Sequence, residues 1–161
     1  MKKKLIAITM GEPSGIASEL VIKTWKLKKK FNLPHFFLID DFKKIQYINN
    51  LFKLNINLKK IHSPEDAHIT FDKALPIIDL KINLNFTLGV PDKKNIKYIK
   101  SSIDHAFRFV KKKIANAMIT MPICKKTFKE SGFKFNGQTE YISHLFNKEG
   151  KKKHVEIMIL S

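Results

Sequence analysis

Short apolar, β-branched runs alternate along this chain with stretches of helical periodicity, and this alternation constrains the fold more than any other feature. Leu5–Thr9 and His35–Asp40 read as buried strands, Leu58–His62 as a short strand, and Ala115–Met121 as another that stops at Pro122. Between them, apolar spacing predicts helices over about 16–27, from a cap at Asp41 to about Leu54, over 93–113, over 125–131 before Gly132, and over about 139–146. In the longest of these, Ile96, Ile99, Ile103, Ala106 or Phe107, and Val110 fall on one stripe. Asp79–Leu84 alternates as an exposed or edge strand would, and Val155–Leu160 reads as a last strand. Strands joined through helices imply an α/β protein of three layers, α/β/α, around a mixed, mostly parallel sheet. Such sheets bind ligands beyond the carboxyl ends of their strands, so chemistry is expected in the loops after Thr9, Met121 and Leu160. A buried strand as the last element predicts a piece of a larger protein.

The 161 residues, 43% of them hydrophobic, are enough for one packed domain and argue against intrinsic disorder. No apolar run approaches the roughly 20 residues of a membrane-spanning helix. The start, Met1-Lys2-Lys3-Lys4 followed by Leu5–Thr9, imitates a signal peptide, but its apolar part is short and leads into Gly11-Glu12-Pro13 with no cleavage site. The one cysteine, Cys124, fits a reducing compartment, and the cytoplasm is expected.

A net charge of +17 raises the possibility of nucleic-acid binding. The positive charge is almost all lysine, however, dispersed in short runs at element ends and polar faces, and Arg108 is the sole arginine. Nucleic-acid sites favour the planar fork of arginine, and no recognition motif is present, so a solvated lysine surface is the reading adopted and a basic nucleic-acid-binding domain the alternative. A positive field would still draw in a phosphorylated metabolite.

Three segments have the composition of ligand-facing loops. Thr9-Met10-Gly11-Glu12-Pro13-Ser14-Gly15-Ile16 is a strand end, a glycine turn and a helix start; it reads first as a tight structural turn, and second as a ligand-facing loop whose backbone N–H groups can hold an anion. It matches neither a P-loop nor a dinucleotide fingerprint. Ile119-Thr120-Met121-Pro122-Ile123-Cys124-Lys125 delivers a proline turn and then a lysine, which either meets an anion or simply begins a surface helix. In Gly132-Phe133-Lys134-Phe135-Asn136-Gly137-Gln138-Thr139-Glu140-Tyr141, Gln138 and Thr139 stand at a helix start, as substrate contacts or as an ordinary cap. The six histidines form no metal-binding spacing.

Taken together and in order, these segments resemble the 4-hydroxythreonine-4-phosphate dehydrogenase (PdxA) family. Ile8–Ile16 resembles the family's opening, Ala117–Lys125 its strand-Pro-Ile-Asn-Lys turn, and Gly132–Tyr141 its Ala-Gly-x-x-Phe-x-Gly-His-Thr-Glu-Phe segment, with Leu88-Gly89-Val90-Pro91 fitting before the long helix. The resemblance implies a homodimeric, two-domain enzyme with a fold like that of isocitrate and isopropylmalate dehydrogenases. It implies oxidation of 4-phosphooxy-L-threonine by NAD or NADP, followed by decarboxylation, in pyridoxal 5'-phosphate (vitamin B6) biosynthesis. It also implies a divalent metal (Zn, Mg or Co) held by three histidines, none matched by a histidine here, so that the metal ligands and most of the nucleotide site would follow Ser161. Residues 1–161 would then be the N-terminal portion of the enzyme, inactive alone. The family's substrate-binding His-Thr pair maps to Gln138 and Thr139. Gln138 replaces the histidine, Ala17-Ser18 replaces Gly-Pro, and Cys124 replaces asparagine. The loss of a chargeable histidine keeps open a related dehydrogenase of four-carbon sugar-acid phosphates; a non-catalytic remnant of the family is a further alternative. No nucleic-acid or membrane partner is expected.

Overall fold

The computed structural model describes residues 4–82 and 84–147. Five strands, β1 (Leu5–Thr9), β2 (His35–Asp40), β3 (Leu58–Ile61), β4 (Leu75–Asp79) and β5 (Ala117–Ile119), form one sheet in the order β3-β4-β2-β1-β5. All four pairings are parallel, so the described sheet carries none of the antiparallel pairing that a mixed sheet would show. Helices α1 (Ala17–Lys26) and α2 (Phe42–Leu51) cover one face; the short α3 (Ala67–Thr70) and the long α4 (Ile96–Lys111) cover the other. Helices α5 (Lys125–Glu130) and α6 (Gln138–Asn147) follow β5. The three-layer α/β/α fold expected from the alternation is the fold observed.

The pleat divides each central strand between two cores. Phe36 and Leu38 of β2 pack with Val21, Ile22 and Trp25 of α1 and with Ile45 and Ile48 of α2. Phe37 and Ile39, facing the other way, pack with Ala7, Ala67 and Ala106. A strand buried on both faces reads as a continuous apolar run, which is why His35–Asp40 was legible without alternation. In α4 the expected stripe is the buried one: Ile96, Ile99, Ile103, Ala106 and Phe107 turn inward, each of the larger ones contributing about 1.5–3 kcal/mol of burial.

The expected edge strand at Asp79–Leu84 is not there. The strand is Leu75–Asp79, placed between β2 and β3 in the interior of the sheet. Its short apolar run is the signature of a doubly covered parallel strand, whereas the alternation after it continues past the last paired residue. Asp79 ends the strand by accepting hydrogen bonds from the backbone N–H groups of Phe42 and Lys81, both 3.2 Å. Helix α2 stops before the expected Leu54: Lys53 takes a left-handed φ of 50°, and Leu54 N–H turns back to Asn49 O at 2.9 Å. Asp41 does cap α2, accepting from Lys44 N–H at 2.7 Å. β5 is shorter than expected, and Gly132 closes α5 with φ of 77° as predicted. The strand expected at Val155–Leu160 lies outside the described residues.

Candidate functional site

β1 is flanked by β2 on one side and β5 on the other, and the chain leaves β1 toward β2 but returns to β5 from the far side of the sheet. The carboxyl ends of β1 and β5 therefore border a topological switch point, where open parallel sheets form a crevice. Two of the three segments singled out in the sequence begin here, and the third is tied to them.

The loop after β1 is buried from Met10 to Ser14, unusual for a loop, and its polar backbone is satisfied by neighbours. Gly11 lets it lie against the turn after β5: a Cβ there would stand 2.5 Å from Pro122 O and 2.6 Å from the Ala17 Cβ. Glu12 N–H donates to Pro122 O at 2.8 Å. On the other side, Ser14 Oγ donates to Val90 O at 2.9 Å, and Gly89 N–H donates to Ser14 O at 2.8 Å, fastening the Leu88–Val90 stretch over the loop. From below, Met10 N–H donates to Ser102 Oγ at 2.8 Å, and Ser102 Oγ donates to Ile39 O at 2.7 Å, so one α4 serine spans β1 and β2.

The turn after β5 is held from two sides. Met121 N–H donates to Thr9 Oγ1 at 3.4 Å, and Gln138 Nε2 donates to Met121 O at 2.9 Å. The first residue of α6 thus reaches the switch point, with one amide N–H engaged within the fold. Thr139, next on α6, is exposed, as are Lys125 and Lys126 at the start of α5. Cys124 precedes them, partly exposed; the Thr127 backbone N–H and hydroxyl hold its thiol below the usual range, with the Lys126 N–H adding to the effect.

Glu12 was not picked out in the sequence as a site residue, though it lies inside the first motif. It is 6% exposed, and Oε1 accepts from Ser14 N–H at 3.2 Å. Burial raises its carboxyl above the usual range, against the pull of the Ser14 hydrogen bonds and of Lys44; Asp92 adds to the rise. Among the described lysines, Lys44 departs from a solvated surface: its ammonium is fully buried and pairs with Asp40 at 2.8 Å. Asp40 also accepts from Asp41 N–H at 2.6 Å, yet burial leaves its carboxyl raised. The i, i+4 spacing of Asp40 and Lys44 was a readable signal; their burial was not. Among the described residues, no group of three or more His, Cys, Asp or Glu side chains is placed to hold a metal ion.

Comparison with known proteins agrees with the geometry. The chain is 33% identical over 141 residues to a 4-hydroxythreonine-4-phosphate dehydrogenase of Zymomonas mobilis, covering 88% of this chain and 41% of the relative. It is 32% identical over 157 residues to one of Methylorubrum populi, covering 96% and 45%. The crystal structure of a 4-hydroxythreonine-4-phosphate dehydrogenase from Burkholderia phymatum shares the fold with a TM-score of 0.80 at 22% identity, over 90% of this chain and 44% of that one. The chain thus spans less than half the length of these relatives. Residues 32–161 match the family model described as pyridoxal phosphate biosynthetic protein PdxA, and the chain belongs to that family.

Proposed function

We propose that residues 1–161 are the N-terminal portion of a two-domain dehydrogenase that oxidises 4-phosphooxy-L-threonine with NAD or NADP and then decarboxylates the product, in the formation of pyridoxal 5'-phosphate. The observation that carries this reading is the convergence of all three family motifs on one crevice: Glu12 N–H on Pro122 O and Gln138 Nε2 on Met121 O. A bland set of surface turns has no reason to meet at a switch point.

The chain's own residues would bind and orient. Thr139 presents an exposed hydroxyl on the first turn of α6, where backbone N–H groups lack intrahelical partners and the helix dipole favours an anion. Lys125, exposed on the neighbouring turn, supplies a positive charge for a phosphate or carboxylate. Gln138 fixes the turn against which the substrate would lie. In the family's chemistry the nicotinamide accepts a hydride and a divalent metal polarises the reacting oxygen. The described residues offer no ligand set for that metal. The whole enzyme would act as a homodimer in the cytoplasm, on a small phosphorylated hydroxy-acid. The replacement of the family histidine by Gln138 favours, as a second reading, a related four-carbon sugar-acid phosphate.

The test is to express the reading frame that contains this chain, with whatever coding sequence follows Ser161, and to follow NAD(P)+ reduction with 4-phosphooxy-L-threonine. Turnover abolished by a chelator is expected, with none from residues 1–161 alone. A folded product with no turnover on this substrate, or turnover by the 161-residue chain, would overturn the reading.

A further inference from the structure

The lysines dispersed along the sequence are gathered by the fold. The five strands are parallel, so the connections that enter them lie along one edge of the sheet, the amino edge. Lys4 precedes β1; Lys28, Lys29 and Lys30 lie between α1 and β2, Lys53 between α2 and β3, Lys73 between α3 and β4, and Lys112 and Lys113 between α4 and β5. All are exposed except Lys28, which is half-buried. The four connections contain one carboxylate, Asp72. Glu12, Asp40 and Asp79 stand instead at the carboxyl edge. A helix dipole favours a cation in the last turn, and Lys26 of α1 and Lys111 of α4 already meet that need. The lysines beyond them are in excess of it. Partial burial, and then the charge of Lys29, hold the Lys28 ammonium below its usual range against the pull of Asp72.

This edge is level. Leu5 pairs with His35, Leu58 with Leu75, and Ala117 with Ile6, while Leu75 begins two residues before Ile77, the partner of Leu38. The strand starts therefore differ by one residue at most, about 3.3 Å, across a sheet about 20 Å wide. Apolar side chains protrude among the lysines. Leu27 and Phe31, where α1 ends, are 43% and 59% exposed, and Leu51 and Phe52, where α2 ends, 46% and 45%. Lys26 Nζ donates to Leu54 O at 3.1 Å and holds the two turns side by side. A level rim with ammonium groups and protruding leucine and phenylalanine tips complements an anionic lipid surface. The ammonium groups reach headgroup phosphates while their stems and the apolar tips enter the interfacial layer. A nucleic acid would use the charge but has no use for Leu27 and Leu51, and a second copy would be repelled from the same edge.

We propose that the amino edge of the sheet, centred on the turns that end α1 and α2, is a docking surface for an anionic lipid bilayer, lying on it without spanning it. The carboxyl edge, which carries the crevice, then faces away from the bilayer and stays open to small molecules. The proposal is independent of the substrate reading. Each lysine near an anionic membrane strengthens binding by about fivefold, and salt screens that gain.

The test is co-sedimentation of the protein, expressed from its whole reading frame, with phosphatidylcholine vesicles that contain either no phosphatidylserine or about 30% of it. Binding to the anionic vesicles alone is expected, weakening by about tenfold or more between about 50 and 300 mM salt. Lys28→Gln, Lys29→Gln and Lys30→Gln together should weaken it by about tenfold or more, and Phe31→Ser with Phe52→Ser should weaken what remains at high salt. Lys93→Gln, Lys94→Gln and Lys97→Gln, at the start of α4 on the opposite edge, remove the same charge and should leave binding within about threefold. The absence of any preference for anionic vesicles overturns the proposal whatever the variants do. Equal loss from the two lysine triplets also overturns it, by assigning the binding to net charge. Binding of single-stranded DNA or RNA by a protein that ignores the vesicles would overturn it in favour of a nucleic acid.

Discussion

Gly11→Ala is the sharpest perturbation of the crevice, because the new methyl has nowhere to go. Its carbon would lie 2.5 Å from Pro122 O, 2.6 Å from the Ala17 Cβ and 2.9 Å from the Met121 Cβ. None of these is the far end of a flexible side chain. Either the loop after β1 or the turn after β5 must move, and the hydrogen bond from Glu12 N–H to Pro122 O, now 2.8 Å, lies across the gap that opens. Overpacking of this kind costs about 1–3 kcal/mol, and leaving a buried donor or acceptor unpaired a further 1–3 kcal/mol. The sum, roughly 2–6 kcal/mol, is a large part of the 5–15 kcal/mol that typically stabilises a domain. At about 2–4 °C per kcal/mol for a chain of this size, thermal unfolding of Gly11→Ala should fall by roughly 4–24 °C, with Trp25 fluorescence as the probe. Trp25 is 6% exposed and its indole donates to Phe71 O at 2.9 Å, so its emission reports the α1 core rather than the crevice. A variant within about 0.5 kcal/mol of wild type would refute the claim that the two loops are in close backbone contact.

The buried Asp40–Lys44 pair predicts a different pattern. Asp40→Ala leaves the Lys44 ammonium buried and unpaired, so it should cost about 3–5 kcal/mol in urea unfolding, while Asp40→Leu with Lys44→Met should recover most of that loss. A small effect of Asp40→Ala alone would show that Lys44 reaches water. For Glu12 the sign follows from a folded-state carboxyl raised above its ordinary value of 4.5, chiefly by burial. The folded chain then holds a proton that the unfolded chain releases, so this group's stabilisation is present below 4.5 and is lost as pH rises through the raised value. Glu12→Gln cannot titrate, so its melting temperature relative to wild type should climb as pH rises from 4.5 and then level off. A difference that is constant with pH, or that shrinks, refutes the assignment.

The elements were legible in the sequence where one physical rule acted alone. His35–Asp40 was read to the residue because a doubly buried strand needs only apolar side chains, and Asp41 was read as a cap because only a short acceptor fits that position. Asp79–Leu84 was misread because alternation marks a strand only where a neighbouring strand offers pairing, and that partner is set by tertiary structure. The same limit applied to the crevice. The motif glycines pointed to close backbone approach, and Gly11 makes one, but what it approaches is 111 positions along the chain.

Gln138 shows most clearly what spacing leaves undetermined. Its place at the head of α6 was readable from Gly137 and the polar residues that follow, and so was its loss of the family's chargeable ring. Which end of the amide would face the crevice was not, because that depends on Met121 O, 17 residues earlier, engaging one amide N–H. Glutamine that donates one N–H to Met121 O still keeps a second N–H and its carbonyl oxygen. A histidine giving one ring nitrogen to the same carbonyl keeps the other, which accepts when the ring is neutral and donates only when it is protonated. The substitution thus removes a charge that pH could switch and leaves a neutral group on the turn that Glu12 also holds. Restoring the ring with Gln138→His should therefore make binding of a phosphorylated ligand by the longer protein tighten as pH falls through the histidine range, with the melting temperature at neutral pH unchanged. Binding that stays independent of pH would mean that position 138 holds the turn and nothing more.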